Sequence, residues 1–223
     1  KNVIDSIHPK LPFGLAQIGK AFRNEIAPRD FIFRTREFSQ MEVEYFVRGV
    51  EWKKYFEKWR KLMWEWVDAL GLSREHVHEL EVEAGNRAHY SKRTIDFEYD
   101  FPSGRKELYG LAYRGDFDLT QHMNASGVSL ALTEDDGSKI LPHVIEPSLG
   151  LERTVFAVLS DAYTEDTLGG SASAEAAADR EPRVYLKLAP VLAPIKVAVF
   201  PLLHNKPELV KKARKIYKSL RKK

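Results

Sequence analysis

Residues 22–46 read FRNEIAPRDFIFRTREFSQMEVEYF, and the rest of the chain is organised around this stretch. A turn at Pro28-Arg29-Asp30 separates two segments and predicts an antiparallel hairpin. The return segment, Phe31 to Phe38, is predicted to be a strand. By alternation, one face of that strand carries the side chains of Ile32, Arg34, Arg36 and Phe38.

Arginine and phenylalanine on one face of a hairpin suggest a particular kind of ligand. Guanidinium groups bind phosphate bidentately, and an aromatic face can stack on a purine. The hairpin is therefore predicted to bind a nucleoside triphosphate. Charged residues also form the solvated face of ordinary strands, and the hairpin alone leaves that interpretation open.

Two motifs in the same order connect the chain to a known family. Residues 22–46 resemble motif 2 of the class II aminoacyl-tRNA synthetases, in the form found in the archaeal and eukaryotic type of glycyl-tRNA synthetase. Residues 146–153, EPSLGLER, resemble motif 3 of that family. Three further strings resemble it between and before the motifs: AQIG from Ala16, ELYGLA from Glu107 and RGDFDL from Arg114. Gly115 is a departure, because the family commonly has a hydroxyl residue there.

The resemblance implies an α+β fold, with an antiparallel class II synthetase catalytic sheet flanked by helices and followed by the start of an α/β anticodon-binding domain. The implied domains are a catalytic core at 1–163, a linker or loop at 164–183, and the start of the anticodon-binding domain at 184–223. Within the linker lies the run GGSASAEAAAD from Gly169 to Asp179, which carries no core-forming side chain.

The implied activity is that of a ligase. It activates glycine with ATP to glycyl-adenylate and transfers the glycine to tRNA(Gly). The residues that the resemblance places at ATP are Arg23, Glu25, Arg34, Phe38, Glu107 and Arg153, with Arg23 and Arg153 as the catalytic pair. Those that it places at glycine are Glu42, Glu146 and Ser148. Glu107 is also the implied ligand of Mg²⁺, which uses few protein carboxylates together with substrate phosphates.

Composition excludes some chemistry. The 223 residues contain no cysteine, which rules out disulfides, thiolate metal sites and a cysteine nucleophile in this chain. We also expect no membrane segment, because no apolar run reaches the length of a span. The net charge of +3 permits a polyanionic partner without requiring one.

The family implies tRNA(Gly) as a partner, a homodimeric full-length parent and a cytoplasmic location. The chain starts at Lys1 and contains neither motif 1 nor the upstream RPETAQG-type string of the family. We therefore expect it to be a fragment that is poorly active alone and regains activity when mixed with the missing part.

The remaining elements follow from hydrophobic periodicity and turn residues. Helices are predicted at Gly49–Gly71, Ser73–Glu83, Gly150–Tyr163 and Pro207–Leu220. Strands are predicted at Thr94–Phe101, Lys106–Tyr113, Val128–Leu132, Ile140–Ile145, Val184–Leu188 and Ile195–Phe200. Pro9 and Pro12 predict no helix in Asn2–Ile18. The last helix is predicted to bury Leu209, Val210, Ala213, Ile216, Tyr217 and Leu220 beneath a basic face.

Other functions remain open from the sequence. The aromatic stripe of the first long helix could be core or a platform for nucleic acid bases. His76, His78 and His89 could bind zinc, although their spacing favours ordinary histidines. A catalytically inactive synthetase-like protein that binds nucleic acid or serves as an accessory subunit is the main alternative. A class II enzyme for another amino acid is the second.

Overall fold

A six-stranded antiparallel sheet, with the strand order β1-β2-β8-β5-β4-β3, forms the centre of the first of two units. The structure is a computed structural model that describes residues 1–167 and 182–222. Its units are residues 1–187 and 188–223. The helices are α1 (Asn2–Ile7), α2 (Trp52–Ala69), α3 (Phe117–Ser126), α4 (Leu151–Ala162) and α5 (Pro207–Leu220). The strands are β1 (Phe13–Phe22), β2 (Glu37–Val47), β3 (Val77–Glu81), β4 (Arg93–Phe101), β5 (Gly104–Gly115), β6 (Leu132–Thr133), β7 (Lys139–Ile140), β8 (His143–Gly150), β9 (Tyr163–Asp166) and β10 (Arg183–Leu186).

The α+β class predicted from the sequence is confirmed, with a sheet of the predicted antiparallel kind. Helices α2 and α4 cover one face of this sheet. Trp52 of α2 stacks on Tyr113 of β5 at 4.1 Å between ring centroids. Thr154 of α4 donates a hydrogen bond of 3.0 Å to the Tyr109 hydroxyl. The hydrophobic core lies between this face and the helices. Its fully buried side chains include Val47, Phe56, Phe97, Leu111 and Ile145.

The prediction for the first long helix is confirmed, since a 3₁₀ turn at Gly49–Glu51 leads directly into α2. Phe56, Met63 and Val67 of its aromatic and aliphatic stripe are buried. The interpretation of the stripe as core packing therefore holds for these residues. Predicted strands 94–101 and 106–113 and helix 150–163 are likewise found as β4, β5 and α4.

Gly71 ends α2 in the left-handed conformation, with a φ of 75°. The Leu72 amide bonds the Val67 carbonyl at 3.2 Å and the Gly71 amide bonds that of Asp68 at 2.9 Å, which is a Schellman cap. Replacing Gly71 with alanine places a Cβ in a left-handed residue, so we expect unfolding to become easier by about 1 kcal/mol. Urea denaturation measures this.

Gly85 provides the matched control for that substitution. Its φ lies outside the left-handed range, and a Cβ there would meet no atom within 4 Å. We expect Gly85→Ala to change the free energy of unfolding by no more than about 0.5 kcal/mol. Equal effects of the two substitutions would contradict the capping role of Gly71.

One prediction around the hairpin is wrong. The hairpin exists, because β1 and β2 pair from Phe13↔Phe46 to Phe22↔Glu37. However, β2 begins only at Glu37, so the predicted strand over 31–38 is an irregular loop. Asp30 and Phe31 have φ values of 57° and 55°, which are incompatible with an extended chain. The turn itself is present, closed by a bridge between Arg29 and Arg34.

The other departures lie away from the hairpin. The predicted helix at Ser73–Glu83 is instead a turn followed by β3, and Val77 is buried against the core. A short α1 forms before Pro9, so the two prolines do not prevent a helix at Asn2–Ile7. The strands predicted at 128–132 and 140–145 are reduced to β6 and β7, while β8 takes up the residues from His143 onward.

The second unit contains α5 at the predicted residues, but none of its side chains is fully buried, which corrects the predicted burial. Residues 195–200 form no strand, and Ile195, Val197 and Phe200 are exposed. A strand is stabilised by a hydrogen-bonded neighbour, and the described residues of this unit offer none. The strand predicted at 184–188 is found in part, as β10 (Arg183–Leu186), which belongs to the first unit and pairs with β9. The run from Gly169 to Asp179 lies outside the described residues.

Candidate active site

The sheet face opposite α2 and α4 carries polar side chains at alternate positions. On β2 these are Gln40, Glu42 and Glu44, and on β8 they are Glu146 and Ser148. Glu42 pairs directly with Ser148 across the two strands. Gln40 also donates a hydrogen bond of 2.5 Å to the Ser148 hydroxyl. Adjacent strands thus bring residues that are over 100 positions apart in sequence onto one surface.

Two pockets open on this face. We call the first the Phe38 pocket. Its lining contains every residue that the sequence analysis assigns to ATP, namely Arg23, Glu25, Arg34, Phe38, Glu107 and Arg153. The second, which we call the Glu146 pocket, is lined by Glu42, Glu146 and Ser148, the three residues assigned to glycine. The structure therefore gathers each predicted set into one place.

The two pockets adjoin one another. Arg23, Gln40, Glu107 and Ser148 line both. A molecule in the Phe38 pocket and a small molecule in the Glu146 pocket would therefore meet at these four side chains. Such a meeting point is what a reaction between two bound substrates needs.

The irregular loop between β1 and β2 forms one wall of the Phe38 pocket. The Arg34 Nε donates to the Glu25 carboxylate at 2.6 Å, and the Arg36 Nε donates to the Glu25 carbonyl at 2.9 Å. These contacts hold the loop in shape although it has no regular structure. The Arg23 guanidinium lies 5.2 Å from the centroid of the Phe38 ring, so one face of that ring is covered by a cation.

Arg153 connects the opposite wall to the loop. It lies in the first turn of α4 and donates to the Glu107 carbonyl at 2.9 Å and to the Glu107 carboxylate at 3.1 Å. Its other terminal nitrogen donates to the Phe33 carbonyl at 3.1 Å. The guanidinium is thereby fixed between a strand and a loop. The Glu107 side chain is half exposed, so its ion pair with Arg153 neutralises the charge of the guanidinium only partly.

Glu107 reaches the polar face because of an irregularity in the sheet. Phe97 pairs with Tyr109, whereas Glu98 pairs with Glu107, so β5 has one extra residue at this point. A bulge of this kind reverses which face the next side chain occupies. Asp96 lies on the same face two residues before Glu98, and it lines the Glu146 pocket together with Glu107.

These carboxylates suit a divalent cation only in part. No group of three or more His, Cys, Asp or Glu side chains in the described ranges, 1–167 and 182–222, could hold a metal ion. One carboxylate at the border of a pocket lined by arginines does fit Mg²⁺, which keeps waters and takes most of its other ligands from phosphates.

The histidines considered for zinc are separately engaged. The His76 Nδ1 lies 2.5 Å from the Asp161 carboxylate, and the His78 Nε2 lies 2.7 Å from that of Asp100. His89 makes an edge contact with Phe117. These contacts place the three rings in three different environments.

The Glu146 pocket is strongly charged. Glu146 is only 8% exposed and forms an ion pair with Arg114. Arg114 also donates to both oxygens of Asp118 at 2.7 and 2.9 Å, and its guanidinium stacks on the Tyr90 ring at 3.9 Å. Burial raises the pKa of Glu146, and the charge of Arg114 opposes that rise. The pocket thus holds a negative charge at a cost in desolvation that Arg114 partly offsets.

Sequence reasoning assigned no role to four charged residues at this site: Glu44, Asp96, Arg114 and Asp118. Burial raises the pKa of Glu44 to about 7, with a contribution from the neighbouring charge of Glu146. Burial and the charge of Glu107 raise the pKa of Asp96 to about 6. The alternating polar residues at 40, 42 and 44 could have indicated Glu44 from the sequence. The i, i+4 spacing of Arg114 and Asp118 is likewise visible there.

Comparisons with known proteins match this arrangement. Residues 1–162 match the tRNA synthetase class II core domain (G, H, P, S and T). A glycine–tRNA ligase of Caldanaerobacter subterraneus subsp. tengcongensis is 46% identical over 224 residues, which covers 100% of this chain and 46% of that protein. The corresponding ligase of Thermus thermophilus is 44% identical over 232 residues, covering 97% of this chain and 44% of the relative.

A glycine–tRNA ligase of Clostridium tetani is 47% identical over 203 residues, covering 91% of this chain and 42% of the relative. The chain thus spans slightly less than half the length of these relatives. All three come from bacteria, so they support the glycine–tRNA ligase resemblance and correct its assignment to the archaeal and eukaryotic type.

Proposed function

This chain belongs to the family of tRNA synthetase class II core domains (G, H, P, S and T), and we propose from that premise that it forms the catalytic part of a glycine–tRNA ligase. The relatives that carry this name match nearly the whole chain. The observation that supports the proposal best is the meeting of the Phe38 pocket and the Glu146 pocket at Arg23, Gln40, Glu107 and Ser148.

The proposed reaction has two steps. A carboxylate oxygen of glycine attacks the α-phosphorus of ATP, the bond to the β-phosphate oxygen breaks, and glycyl-adenylate and pyrophosphate result. A hydroxyl of the tRNA 3′ end then attacks the glycyl carbonyl carbon and AMP leaves, while the hydroxyl proton passes to solvent. No protein nucleophile takes part, so positioning and charge neutralisation supply the catalysis.

In this proposal ATP binds in the Phe38 pocket. Arg23 contacts the α-phosphate from the border with the Glu146 pocket, and Arg34 and Arg153 contact the rest of the triphosphate. Phe38 stacks on the adenine, with Glu25 beside it. Arg23 covers one face of the Phe38 ring in the structure, so we expect its guanidinium to move toward the phosphate when ATP binds.

Glycine binds in the Glu146 pocket, with its ammonium facing Glu42, Glu146 and Ser148. These three residues lie together because Glu42 pairs with Ser148, and Glu146 precedes Ser148 by one alternation on β8. A cation among carboxylates offsets the unfavourable burial of their charge. The difference of one methyl group between glycine and alanine gives only weak discrimination in an apolar pocket. Close packing around the glycine Cα must therefore contribute.

Mg²⁺ completes the proposal. Glu107 would hold it at the border of the two pockets, where it would neutralise phosphate charge.

Further parts of the proposal come from the family alone: tRNA(Gly) as acceptor, a homodimeric parent, a cytoplasmic location and an anticodon-binding role for residues 184–223. Within the described residues no helix is both long enough and apolar enough to span a bilayer.

An inactive accessory protein remains the competing function. Accessory members of such a fold have no need of a complete set of charged side chains. Here the nine predicted side chains line the two pockets together. No observation favours the accessory function over the ligase.

Glycine-dependent exchange of labelled pyrophosphate into ATP tests the proposal. We expect the full-length enzyme that contains this chain to catalyse exchange with glycine and not with alanine. The adenylate step is reversible, so exchange requires both ATP and the cognate amino acid. Equal exchange without glycine, or exchange supported by another amino acid in its place, would contradict the proposed substrate.

A further inference from the structure

Glu44 lies behind the residues that are proposed to bind the glycine ammonium. It occupies the same face of β2 as Glu42, one alternation further from the Phe38 pocket. Because Glu42 pairs with Ser148 and Tyr45 pairs with Ile145, the register places Glu44 beside Glu146 on the adjacent strand. Its neighbour on the other side, on β1, is the uncharged Leu15. Glu44 is thus enclosed by sheet neighbours, one of which is another carboxylate.

The charges around Glu44 do not balance. Four carboxyl groups and one guanidinium face each other here: Glu42 and Glu44 from β2, Glu146 from β8, Asp118 from α3 and Arg114 from β5. The Arg114 guanidinium already donates hydrogen bonds to Glu146 and to both carboxylate oxygens of Asp118. No hydrogen bond from a described side chain stabilises an ionised Glu44. In the absence of a bound cation, the cluster therefore favours a neutral Glu44.

The direction of titration agrees with this geometry. Burial is the largest cause of the raised pKa of Glu44, at about 7, and the charge of Glu146 adds to it. Arg114 lowers that pKa, while Glu42 and Asp118 raise it further. The pKa of Glu146 is raised by burial as well, but Arg114 contacts it directly. Glu146 therefore has a cationic partner in direct contact that favours its ionised form, and Glu44 has none.

We propose that Glu44 is a positioning residue beside the Glu146 pocket, which carries a proton when no cation occupies that pocket and releases it to solvent when a primary ammonium binds. The released proton leaves a carboxylate, so the cluster gains one negative charge as it receives one positive charge. This rests on the proposed function, because glycine is the ammonium compound assigned to the pocket. Glu44 would act through Glu146 and Arg114 and would not touch glycine itself.

Glycine binding is linked to the release of the Glu44 proton, and this linkage fixes how the glycine dissociation constant changes with pH. A bound cation lowers the pKa of Glu44, so raising the pH through the pKa of the empty site strengthens binding. Glycine remains a zwitterion in this range and does not contribute. If the pKa falls by about two units on binding, the dissociation constant of glycine rises about ninefold between pH 8 and pH 6.

Calorimetry of glycine binding to the full-length enzyme measures the proton directly. The titration is run near pH 7 in two buffers that differ in ionisation enthalpy. We expect release of about half a proton for each glycine bound, because Glu44 is then about half protonated in the empty site. Glu44→Gln should abolish the release and flatten the pH dependence of the glycine dissociation constant.

Glu37→Gln is the matched control. Glu37 lies on the same strand but is exposed and paired with Lys20, so its replacement should leave proton release unchanged. Glu44→Asp keeps a carboxyl group and should retain release at a shifted pH optimum. It serves as the deciding variant if Glu44→Gln does not fold.

The outcomes separate this inference from the proposed function. If the parent enzyme does not bind glycine, the proposed function is wrong. If it binds glycine without releasing a proton near pH 7, Glu44 does not play this part. Release that persists in Glu44→Gln, or that keeps the same pH optimum in Glu44→Asp, would also overturn the inference.

Discussion

In the full-length enzyme that contains this chain, we expect replacement of Arg153 or Arg23 with alanine to lower the rate of glycine-dependent pyrophosphate exchange by about 30- to 900-fold. Each guanidinium is proposed to bind phosphate oxygens whose negative charge shifts as the adenylate forms. Loss of one such charge-assisted contact removes about 2–4 kcal/mol of transition-state stabilisation. Both side chains line the Phe38 pocket, Arg23 from the loop after β1 and Arg153 from the first turn of α4. They are therefore expected to act on different oxygens.

The two variants also differ in their expected effect on the fold. Arg23 is exposed, and its side chain contacts mainly the Phe38 ring, so Arg23→Ala should unfold at nearly the parent temperature. Arg153 donates to the Phe33 and Glu107 carbonyls, so Arg153→Ala should lose some stability as well. Arg153→Lys keeps a charge but cannot bond both partners in the same way, and we expect intermediate activity.

Arg74→Ala is the matched control for both. Arg74 is an exposed arginine that pairs with Asp68 and stacks on Trp64, and it lines neither pocket. Its loss should change exchange by less than twofold. Near-normal exchange in both Arg23→Ala and Arg153→Ala would show that the Phe38 pocket does not bind the triphosphate.

In the same full-length enzyme, we expect replacement of Glu146 with glutamine to raise the Michaelis constant for glycine much more than that for ATP. The substitution keeps the shape of the side chain and removes its charge. A hydrogen bond between charged groups contributes about 1.5–3 kcal/mol, so we expect the glycine constant to rise about 10- to 150-fold. The ATP constant should change less than twofold, since Glu146 lines only the Glu146 pocket. Steady-state exchange kinetics with each substrate varied in turn give both values.

Ser148→Ala provides a smaller expected effect on the glycine Michaelis constant, with which the effect of Glu146→Gln is compared. A neutral hydrogen bond contributes about 0.5–1.5 kcal/mol, so the glycine constant should rise only about 2- to 13-fold. Arg114 keeps Asp118 as a partner in Glu146→Gln, which should preserve the local structure. A rise in the ATP constant with an unchanged glycine constant would mean that the pocket is assigned to the wrong ligand.

Local signals in the sequence predicted most of the central elements. The stripe of α2, the turn between β4 and β5, and the helix after motif 3 each depend on residues close together in the chain. Helical periodicity and turn chemistry are properties of such short segments. The motif resemblance also selected nine side chains that the structure gathers into two adjoining pockets. Their individual roles stay predictions.

The same local reasoning failed where distant contacts decide. Alternation over Phe31–Phe38 suggested a strand, but Phe33 packs on Phe101 at 4.8 Å and Phe31 on Phe156 at 5.7 Å between ring centroids. These rings turn toward β4 and α4 and leave the extended path. Residues 77–81 became a strand because β4 offers an edge to pair with. Neither partner is visible from within the segment.

By itself, the sequence determined most of the elements that flank the hairpin and, through its motifs, selected nine candidate side chains for the site, because periodicity, turns and motifs are each read within short segments. Only the tertiary structure decided how the charges meet. The extra residue in β5 turns Glu107 to the pocket face. The register of β2 against β8 sets Glu44 beside Glu146, and Arg114 divides its hydrogen bonds between Glu146 and Asp118. Strand register and bulges follow from packing across the whole sheet, and the distance between two charges sets their interaction.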